Sequence, residues 1–243
     1  MKIATFNIHH GCGIDRRVKL SRILRVLKQI GADILALQEV DRNFQRSRNE
    51  DQAGILAEAL KMHLHFAPAI GNPATGYGIA LLSRFPLEET VIHKLPSGSK
   101  NREQRVAQTA RMQTGLGSVA VLNTHLGLRR AERRQQSRKI AEWVRDQRVS
   151  RPSCPLILCG DWNAGPRSNG SLQPLFECME WRAEDALPGG THATFPSYGP
   201  VRKLDYILVS PELRKILETP YRLGFSFVAS DHLPFLAQIA RGD

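Results

Sequence analysis

The chain has 243 residues, of which 42% are hydrophobic and 23% are charged, the balance of an ordinary soluble globular protein. No stretch approaches the roughly 20 apolar residues that are needed to span a bilayer, which excludes a transmembrane segment. Lys and Arg number 34 against 23 Asp and Glu, which leaves a formal charge of +11. That excess suits an anionic partner such as nucleic acid, an acidic membrane surface or a phosphorylated metabolite. It also suits a basic surface with no specific partner.

The predicted elements of the first half alternate between strands and helices. Apolar and polar residues alternate from the first residues onward, which leaves no room for a signal peptide and predicts a cytoplasmic protein. Helical spacing of apolar residues predicts a helix that Asp15 caps and Gly31 ends. The elements in order are a strand at 3–8, a helix between Asp15 and Gly31, a strand at 34–40, a helix at 52–62 and a strand at 79–83.

The second half continues with hairpins, one long helix and further strands. A polar segment at 94–104 is predicted to be an exposed loop. The elements after it are a hairpin of strands at 106–113 and 119–124, a helix at 131–148, and strands at 155–160, 205–210 and 235–239. This order predicts an α/β fold with mixed sheets, and no linker divides the chain, so a single domain over 1–243 is expected.

The four cysteines are expected to be reduced. Cys12, Cys154, Cys159 and Cys178 show neither Cys-x-x-Cys spacing nor pairing with nearby histidines, so no zinc site is predicted. Cys159 lies in an apolar run, which is typical of a buried structural thiol.

Polar residues fall at or just beyond the carboxyl ends of several predicted strands, where a rigid sheet can hold functional side chains open to solvent. Hard cations such as Mg²⁺ take oxygen ligands. A phosphoester hydrolase needs such a cation, a group that positions water and a titratable group near neutral pH. Taken singly, each residue could instead be a turn former, a cap or a satisfied interior side chain. The set comprises Asn7, Glu39, His125, Asp161, Asn163, Asp205, Asp231 and His232.

Six short strings in this order resemble the endonuclease/exonuclease/phosphatase superfamily, whose members include DNase I, and in particular its small bacterial members. The strings lie at 4–8, 37–40, 123–126, 160–163, 204–207 and 230–234. Any one string is unspecific, but six in order make a strong signal. The resemblance implies a four-layer α/β sandwich, in which two mixed β-sheets pack face to face with helices outside.

The resemblance also implies a cofactor, Mg²⁺ with Mn²⁺ as a second cation, and a set of roles. Glu39, with Asn7, is similar to the main metal site, and Asp231 is similar to a further metal or water ligand. Asp161 resembles the residue that aligns or activates the attacking water, and Asn163 resembles one that hydrogen-bonds the phosphate or that water.

Three further residues complete the implied site. His232 resembles the imidazole that binds the phosphate and stabilises its developing charge, and Asp205 would hold the tautomer of His232. His125 would contact the phosphate from the other side. Attack by water would be in line, without a covalent enzyme intermediate.

The chain departs from the family pattern at two positions. Ile79 stands where many relatives carry an amide, so a substrate contact is not expected there. His125 lacks the carboxylate partner that DNase I-like members place on the same strand, and Glu103 or a water could substitute. Abasic-site endonucleases carry Tyr at the position of His125, which disfavours that specificity. Arg105 lies where relatives often place a phosphate-binding arginine, although a solvated loop arginine is an equal alternative.

Arginines cluster where the long helix begins, the end at which cations oppose the helix dipole. We hypothesise that they bind the non-scissile part of an anionic phosphoester substrate, and the cluster comprises Arg129, Arg130, Arg133, Arg134 and Arg138. The first functional expectation is a nuclease-type phosphodiesterase acting on nucleic acid. The alternatives are a phosphodiesterase or phosphatase acting on a phospholipid headgroup or a small molecule, and a catalytically dead scaffold. The sequence predicts neither the substrate nor the oligomeric state.

Overall fold

The computed structural model describes residues 1–97, 103–166, 170–180, 192–222, 224 and 226–242. Helices separate the first strands, and a run of five consecutive strands follows the second α-helix. The strands are β1 (Lys2–Asn7), β2 (Ile34–Arg42), β3 (His63–Gly71), β4 (Gly76–Ser83), β5 (Glu88–Lys94), β6 (Val106–Thr114), β7 (Gly117–His125), β8 (Leu156–Asp161), β9 (Asp205–Val209), β10 (Leu213–Pro220) and β11 (Phe235–Arg241). The helices are α1 (Leu20–Ile30), α2 (Gln52–Leu60), α3 (Arg130–Ser150), α4 (Gln173–Cys178) and α5 (Ser226–Ala229).

The strands form two sheets, one in the order β10-β11-β1-β2-β4-β3 and the other in the order β5-β6-β7-β8-β9. Each sheet is mixed, because β1 and β2 pair in parallel in the first and β7 and β8 pair in parallel in the second. The other pairs within the two sheets are antiparallel. The predicted α/β fold with two mixed sheets is confirmed.

Three apolar layers hold the sandwich together. Ile34, Val121 and Ile157 belong to the fully buried layer between the sheets. The apolar stripe of α1 packs on the outer face of the first sheet, as Ile23 does. The stripe of α3, which includes Ile140, packs on the outer face of the second sheet. Successive side chains along each strand point to opposite faces, and both faces of each sheet are buried. Two sheets with helices on their outer faces therefore make four layers.

Helix α1 begins later than the sequence predicts. Asp15 does not cap it, because both carboxylate oxygens of Asp15 accept hydrogen bonds from Arg22, at 2.8 and 2.7 Å. Lys19 occupies the N-cap position without a side-chain hydrogen bond. The predicted end is confirmed, since Gly31 adopts the left-handed conformation with φ of 59°.

A buried polar bridge joins the two sheets. Gln38 of β2 donates through Nε2 to Oδ1 of Asn123 on β7 at 2.7 Å, and to the hydroxyl of Thr5 at 2.9 Å. Asn123 in turn donates through Nδ2 to the carbonyls of Leu37 and Ala80, each at 3.1 Å. Both side chains are fully buried. Buried amides are costly to leave unpaired, so this bridge favours one alignment of the sheets.

The remaining expectations concern the thiols and the polar segment at 94–104. All four cysteines are free, and Cys159 is fully buried, as predicted. In the polar segment, Lys94 ends β5 and Leu95 is buried, so the exposed loop is shorter than predicted. Residues 98–102 of that segment lie outside the described residues. Within the described part of the chain, no helix combines the length and apolar character needed to cross a membrane.

Candidate active site

Strand register places three predicted residues in one row across the second sheet. His125 at the end of β7 is aligned with Asp161 at the end of β8, and Asp161 is aligned with Asp205 at the start of β9. Gly160 permits this arrangement, because a Cβ there would lie 1.9 Å from the carbonyl oxygen of Thr124. The sequence therefore needs glycine before Asp161 so that β7 and β8 can approach closely.

The first sheet contributes Asn7 and Glu39. The pairing of β2 with β4 shifts register between Leu37 and Val40, and Glu39 adopts a φ of 54°. This bulge lets Glu39 line the cleft. Asn7, at the end of β1, donates through Nδ2 to Glu39 Oε1 at 2.8 Å and to Asp161 Oδ2 at 3.0 Å. The amide therefore links the carboxylates of the two sheets.

Asp161 is fully buried and hydrogen-bonded at both oxygens. Its Oδ1 accepts the backbone N–H of Asn163 at 2.9 Å, while Oδ2 faces Asn7. Burial raises the pKa of Asp161, whereas His232 acts to lower it and Asp205 to raise it. Such a carboxylate is suited to exchanging a proton with water at the bottom of a cleft.

His232 and Asp205 form a buried pair that crosses between the sheets. Nδ1 of His232 lies 2.9 Å from Asp205 Oδ2, and Nε2 lies 3.6 Å from Asp161 Oδ2. Burial opposes a charge on the ring, but the two carboxylates outweigh it and raise the pKa of His232. Thr194 also donates to Asp205 Oδ2. The pair orients a cationic imidazole whose Nε2 faces the cleft.

His125 is held differently from His232. Its Nδ1 lies 3.0 Å from Arg105 Nη1, and its Nε2 lies 3.0 Å from Asn163 Nδ2. Both neighbours are hydrogen-bond donors, and burial followed by the charge of Arg105 lowers the pKa of His125 well below its usual value. Glu103 pairs with Arg105 at 2.8 Å. Glu103, which the sequence offers as a partner of His125, thus interacts with that histidine only indirectly, through the guanidinium of Arg105.

These side chains surround one cleft of about 710 Å³. Asn7 and Asp205 are buried beneath it, with 1% and 0% of their surface exposed. The predicted residues that line it are Glu39, Arg105, His125, Asp161, Asn163, Asp231 and His232. The structure thus brings the eight residues of the predicted constellation together, and Arg105 with them.

The structure divides the arginine cluster that the sequence predicts to bind substrate. Arg130 and Arg134 line a second groove of about 650 Å³ between α3 and α4, with Arg138 and Arg145. That groove shares no lining residue with the cleft.

The other two arginines of the cluster lie elsewhere. Arg133 is buried and donates through Nη1 to the carbonyls of Gly127 and Leu128, at 3.2 and 2.5 Å, so it holds the loop beyond His125. Arg129 is exposed at the N-cap of α3.

Several residues of the cleft were not predicted from the sequence, among them two histidines and a tyrosine. His9 and His10 follow Asn7 in a short 3-10 turn and line the cleft beside Glu39. Tyr77 of β4 also lines it, two residues before Ile79, which is 2% exposed and packs in a small apolar cluster. Two consecutive histidines one residue beyond a strand-end asparagine are the signal that could have identified His9 and His10.

Comparisons with known proteins agree with this architecture. The Escherichia coli (strain K12) protein YbhP is 27% identical over 247 residues, which covers 98% of this chain and 95% of YbhP. A solved endonuclease/exonuclease/phosphatase from Beutenbergia cavernae covers 100% of this chain and 72% of its own, with 24% identity and a TM-score of 0.73. The human Nocturnin catalytic domain, solved with a bound sulfate anion, covers 99% of this chain and 94% of its own, with 22% identity and a TM-score of 0.76.

At these identities the two solved structures establish the fold alone. A sequence model of the Endonuclease/Exonuclease/phosphatase family matches residues 4–232. That span contains all eight residues of the predicted constellation and both sheets, apart from the last strand and the first residues of β1. The protein belongs to the Endonuclease/Exonuclease/phosphatase family.

Proposed function

We propose that this protein is a divalent-metal-dependent phosphoester hydrolase, and that it acts as a nuclease-type phosphodiesterase. One observation carries the proposal. The buried His232–Asp205 pair and the Asn7–Glu39 pair meet at Asp161, at the bottom of a single open cleft. A protonated imidazole and two carboxylates thus lie close enough to act on one phosphate, which supports roles in charge stabilisation, water positioning and metal binding.

The donor set fits a divalent cation. Glu39 and Asp231 present carboxylate oxygens to the cleft, and Asn7 lies directly behind Glu39. Mg²⁺ is usually held by one or two carboxylates and substrate phosphate, and Mn²⁺ accepts the same ligands. When bound, the cation would polarise the phosphoryl oxygens and neutralise their charge.

The chain's own residues account for the remaining chemistry. Asp161 would orient the attacking water and take its proton, because Asn7 and Asn163 hold its carboxylate in place. His232 would donate from Nε2 to a phosphoryl oxygen, since Asp205 occupies its Nδ1. In-line attack by water then needs no covalent enzyme intermediate.

On the opposite wall of the cleft, His125 and Arg105 would bind the phosphate without gaining or losing a proton. Burial and the neighbouring charge of Arg105 lower the pKa of His125 and favour its neutral ring, whose Nδ1 accepts from the guanidinium. Arg105 is 6% exposed, and its guanidinium is fixed between Glu103 and His125. A fixed guanidinium adds electrostatic stabilisation where the phosphate charge develops.

Nucleic acid is the proposed substrate. The formal charge of +11 favours a polyanion, and the arginine-lined groove between α3 and α4 would bind phosphates beyond the scissile one. The four free cysteines agree with a reducing compartment, so we place this activity in the cytoplasm.

A phospholipid headgroup is the alternative substrate, and one observation favours it. Leu128 lines the cleft and is 73% exposed, and Tyr198 and Val201, between cleft residues Phe195 and Arg202, are 74% and 79% exposed. Apolar side chains beside arginines are typical of proteins that dock on anionic lipid surfaces.

The test is a substrate panel with a matched inactive variant. Purified protein with Mg²⁺ or Mn²⁺ would be assayed on plasmid DNA, RNA, phospholipid vesicles and inositol phosphates. We expect cleavage of nucleic acid that is abolished by EDTA and by Asp161→Ala, and retained in Asp146→Ala, which alters an exposed carboxylate of α3. Cleavage of vesicles alone would select the alternative. Activity on no phosphoester would leave a binding scaffold, and activity that survives both EDTA and Asp161→Ala would overturn the mechanism.

A further inference from the structure

The 3-10 turn after Asn7 carries two histidines for which the hydrolysis proposal has no role. His9 and His10 both adopt left-handed backbone conformations, with φ of 45° and 43°. Such conformations are unfavourable for residues other than glycine, and they cluster at functional sites. Their rings meet edge to face, with centroids 4.6 Å apart.

Neighbouring side chains hold the strained turn in place. Oδ1 of Asn7 accepts the backbone N–H of His9 at 3.0 Å, and Nε2 of Gln52 donates to the carbonyl of His10 at 2.8 Å. Gln52 is fully buried at the start of α2. The turn is therefore tied to both β1 and α2, which explains how the conformation persists.

The two imidazoles and Glu39 converge. One ligand atom from each of the three residues lies within 4.8 Å of the others. Nδ1 of His9 donates to the carbonyl of Cys12 at 3.2 Å, which leaves the lone pair on Nε2. Nδ1 of His10 is buried and has no hydrogen-bond partner among the described residues. A buried nitrogen without a partner is uncommon in folded proteins and calls for a ligand.

Charges around the turn permit a cation. Arg46 also lines the cleft, but Asp41 binds its guanidinium through two hydrogen bonds of 2.7 and 2.8 Å. Asp231 Oδ1 lies 3.7 Å from Nδ1 of His9 and adds negative charge on the other side. The region thus contains carboxylates and imidazoles, and the guanidinium of Arg46 is already paired.

We propose that His9, His10 and Glu39 form a cation site that selects a nitrogen-binding transition metal such as Zn²⁺ over Mg²⁺. Two imidazoles and one carboxylate are a common ligand set for such metals, whereas Mg²⁺ takes oxygen ligands almost exclusively. This site rests on the proposed function only through Glu39, which is also a ligand in the proposed Mg²⁺ site. The site itself stands on the geometry of the turn.

Metal binding, rather than activity, tests the inference. Zn²⁺ and Mg²⁺ would be titrated by calorimetry into the metal-free protein and into His9→Gln, His10→Gln and His63→Gln. His63 is an exposed histidine of β3 and serves as the matched control. We expect Zn²⁺ to bind the wild type and His63→Gln with equal affinity, and each turn variant to lose about 100-fold. Mg²⁺ affinity should not change in any variant.

Co²⁺ supplies a second readout that does not depend on a variant folding. Bound at this site, Co²⁺ should give d–d absorption without a thiolate charge-transfer band, and Zn²⁺ should displace it. A thiolate band would place the metal at a cysteine and overturn the inference, as would equal Zn²⁺ affinity in the wild type and both turn variants. Zn²⁺ binding that is lost in the variants while no phosphoester is cleaved would support this site and refute the hydrolase proposal alone.

Discussion

Asp205 is fully buried, and its Oδ2 accepts hydrogen bonds from both His232 and Thr194. A buried carboxylate that accepts from Nδ1 stabilises the protonated ring, so that Nε2 also carries a proton and can donate toward the cleft. We propose that Asp205 positions His232, because Asp205 itself does not line the cleft.

The substitution Asp205→Asn tests this role. Asparagine keeps the shape but removes the negative charge that favours a protonated ring, so a neutral His232 whose Nδ1 still donates would have only a lone pair at Nε2. We expect kcat on the best substrate to fall about 10³- to 10⁴-fold while KM changes little. Steady-state kinetics would measure both, with Asp146→Asn as the exposed control. A comparable rise in KM with kcat unchanged would contradict a positioning role.

The guanidinium of Arg105 lies between Glu103 and His125. A second substitution tests whether its planar shape or only its positive charge matters. Arg105→Lys keeps the charge but removes the planar fork that contacts both partners. We expect kcat/KM to fall about 30-fold, equivalent to about 2 kcal/mol of transition-state stabilisation. Arg111→Lys on β6, where the arginine pairs with Glu89 instead, should leave kcat/KM unchanged. Equal activities in the two variants would assign Arg105 a role in charge alone.

At the scale of strands and helices, Gly160 has the clearest consequence. A Cβ at this position would overlap the Thr124 carbonyl, and the backbone φ of 142° is unfavourable for side-chain-bearing residues. We expect Gly160→Ala to lower the free energy of unfolding by about 3 kcal/mol or more. Urea denaturation would measure it against Gly115→Ala, since a Cβ at Gly115 meets nothing within 4 Å. Similar midpoints for the two variants would show that β8 can move away from β7.

The elements that sequence alone predicts are those with a strong apolar pattern. Helix α3 and the central strands were expected at nearly their observed positions, and α1 was expected with its observed end at Gly31 but an earlier start. Strands β3, β5 and β10 were not, and all three lie at the edges of the sheets. Edge strands bury less of their surface and carry charged residues, as the mostly exposed β5 does, so periodicity does not reveal them.

The candidate site likewise has features that the sequence predicts and features that it does not. Residues such as Asp161 could be predicted because each lies at the end of an apolar strand. The bulge that turns Glu39 into the cleft could not, since it depends on pairing with β4. The contact of Arg105 with His125 likewise depends on the β6–β7 register, in which Ala107 is aligned with Thr124. Register is a property of tertiary structure that a single sequence does not encode in a readable pattern.

For the whole molecule, the excess of positive charge has a measurable consequence. Arg134→Ala/Arg138→Ala removes two arginines from the α3–α4 groove. If each contacts one DNA phosphate, the slope of log kcat/KM against log salt should become less negative by about 1.8. Cleavage of a small chromogenic phosphodiester should be unaffected, because the groove is separate from the cleft.

The matched control for the salt experiment is Arg25→Ala/Lys28→Ala. It removes the same charge from α1, which covers the other sheet. An equal change of slope in both double variants would attribute the salt dependence to net charge rather than to the groove.

The amide bridge between Gln38 and Asn123 lies beneath a site whose parts belong to different sheets. Asn7, Glu39 and His232 are carried by the first sheet or the loop that enters it, while Asp161 and Asp205 belong to the second. Both hydrogen bonds that complete the site, Asn7 to Asp161 and His232 to Asp205, therefore cross the interface. For the proposed hydrolase, the catalytic rate should therefore depend on how the two sheets are aligned. Pressure, a cosolvent or a core substitution that moves one sheet relative to the other should break the hydrogen bonds of the site before either sheet unfolds.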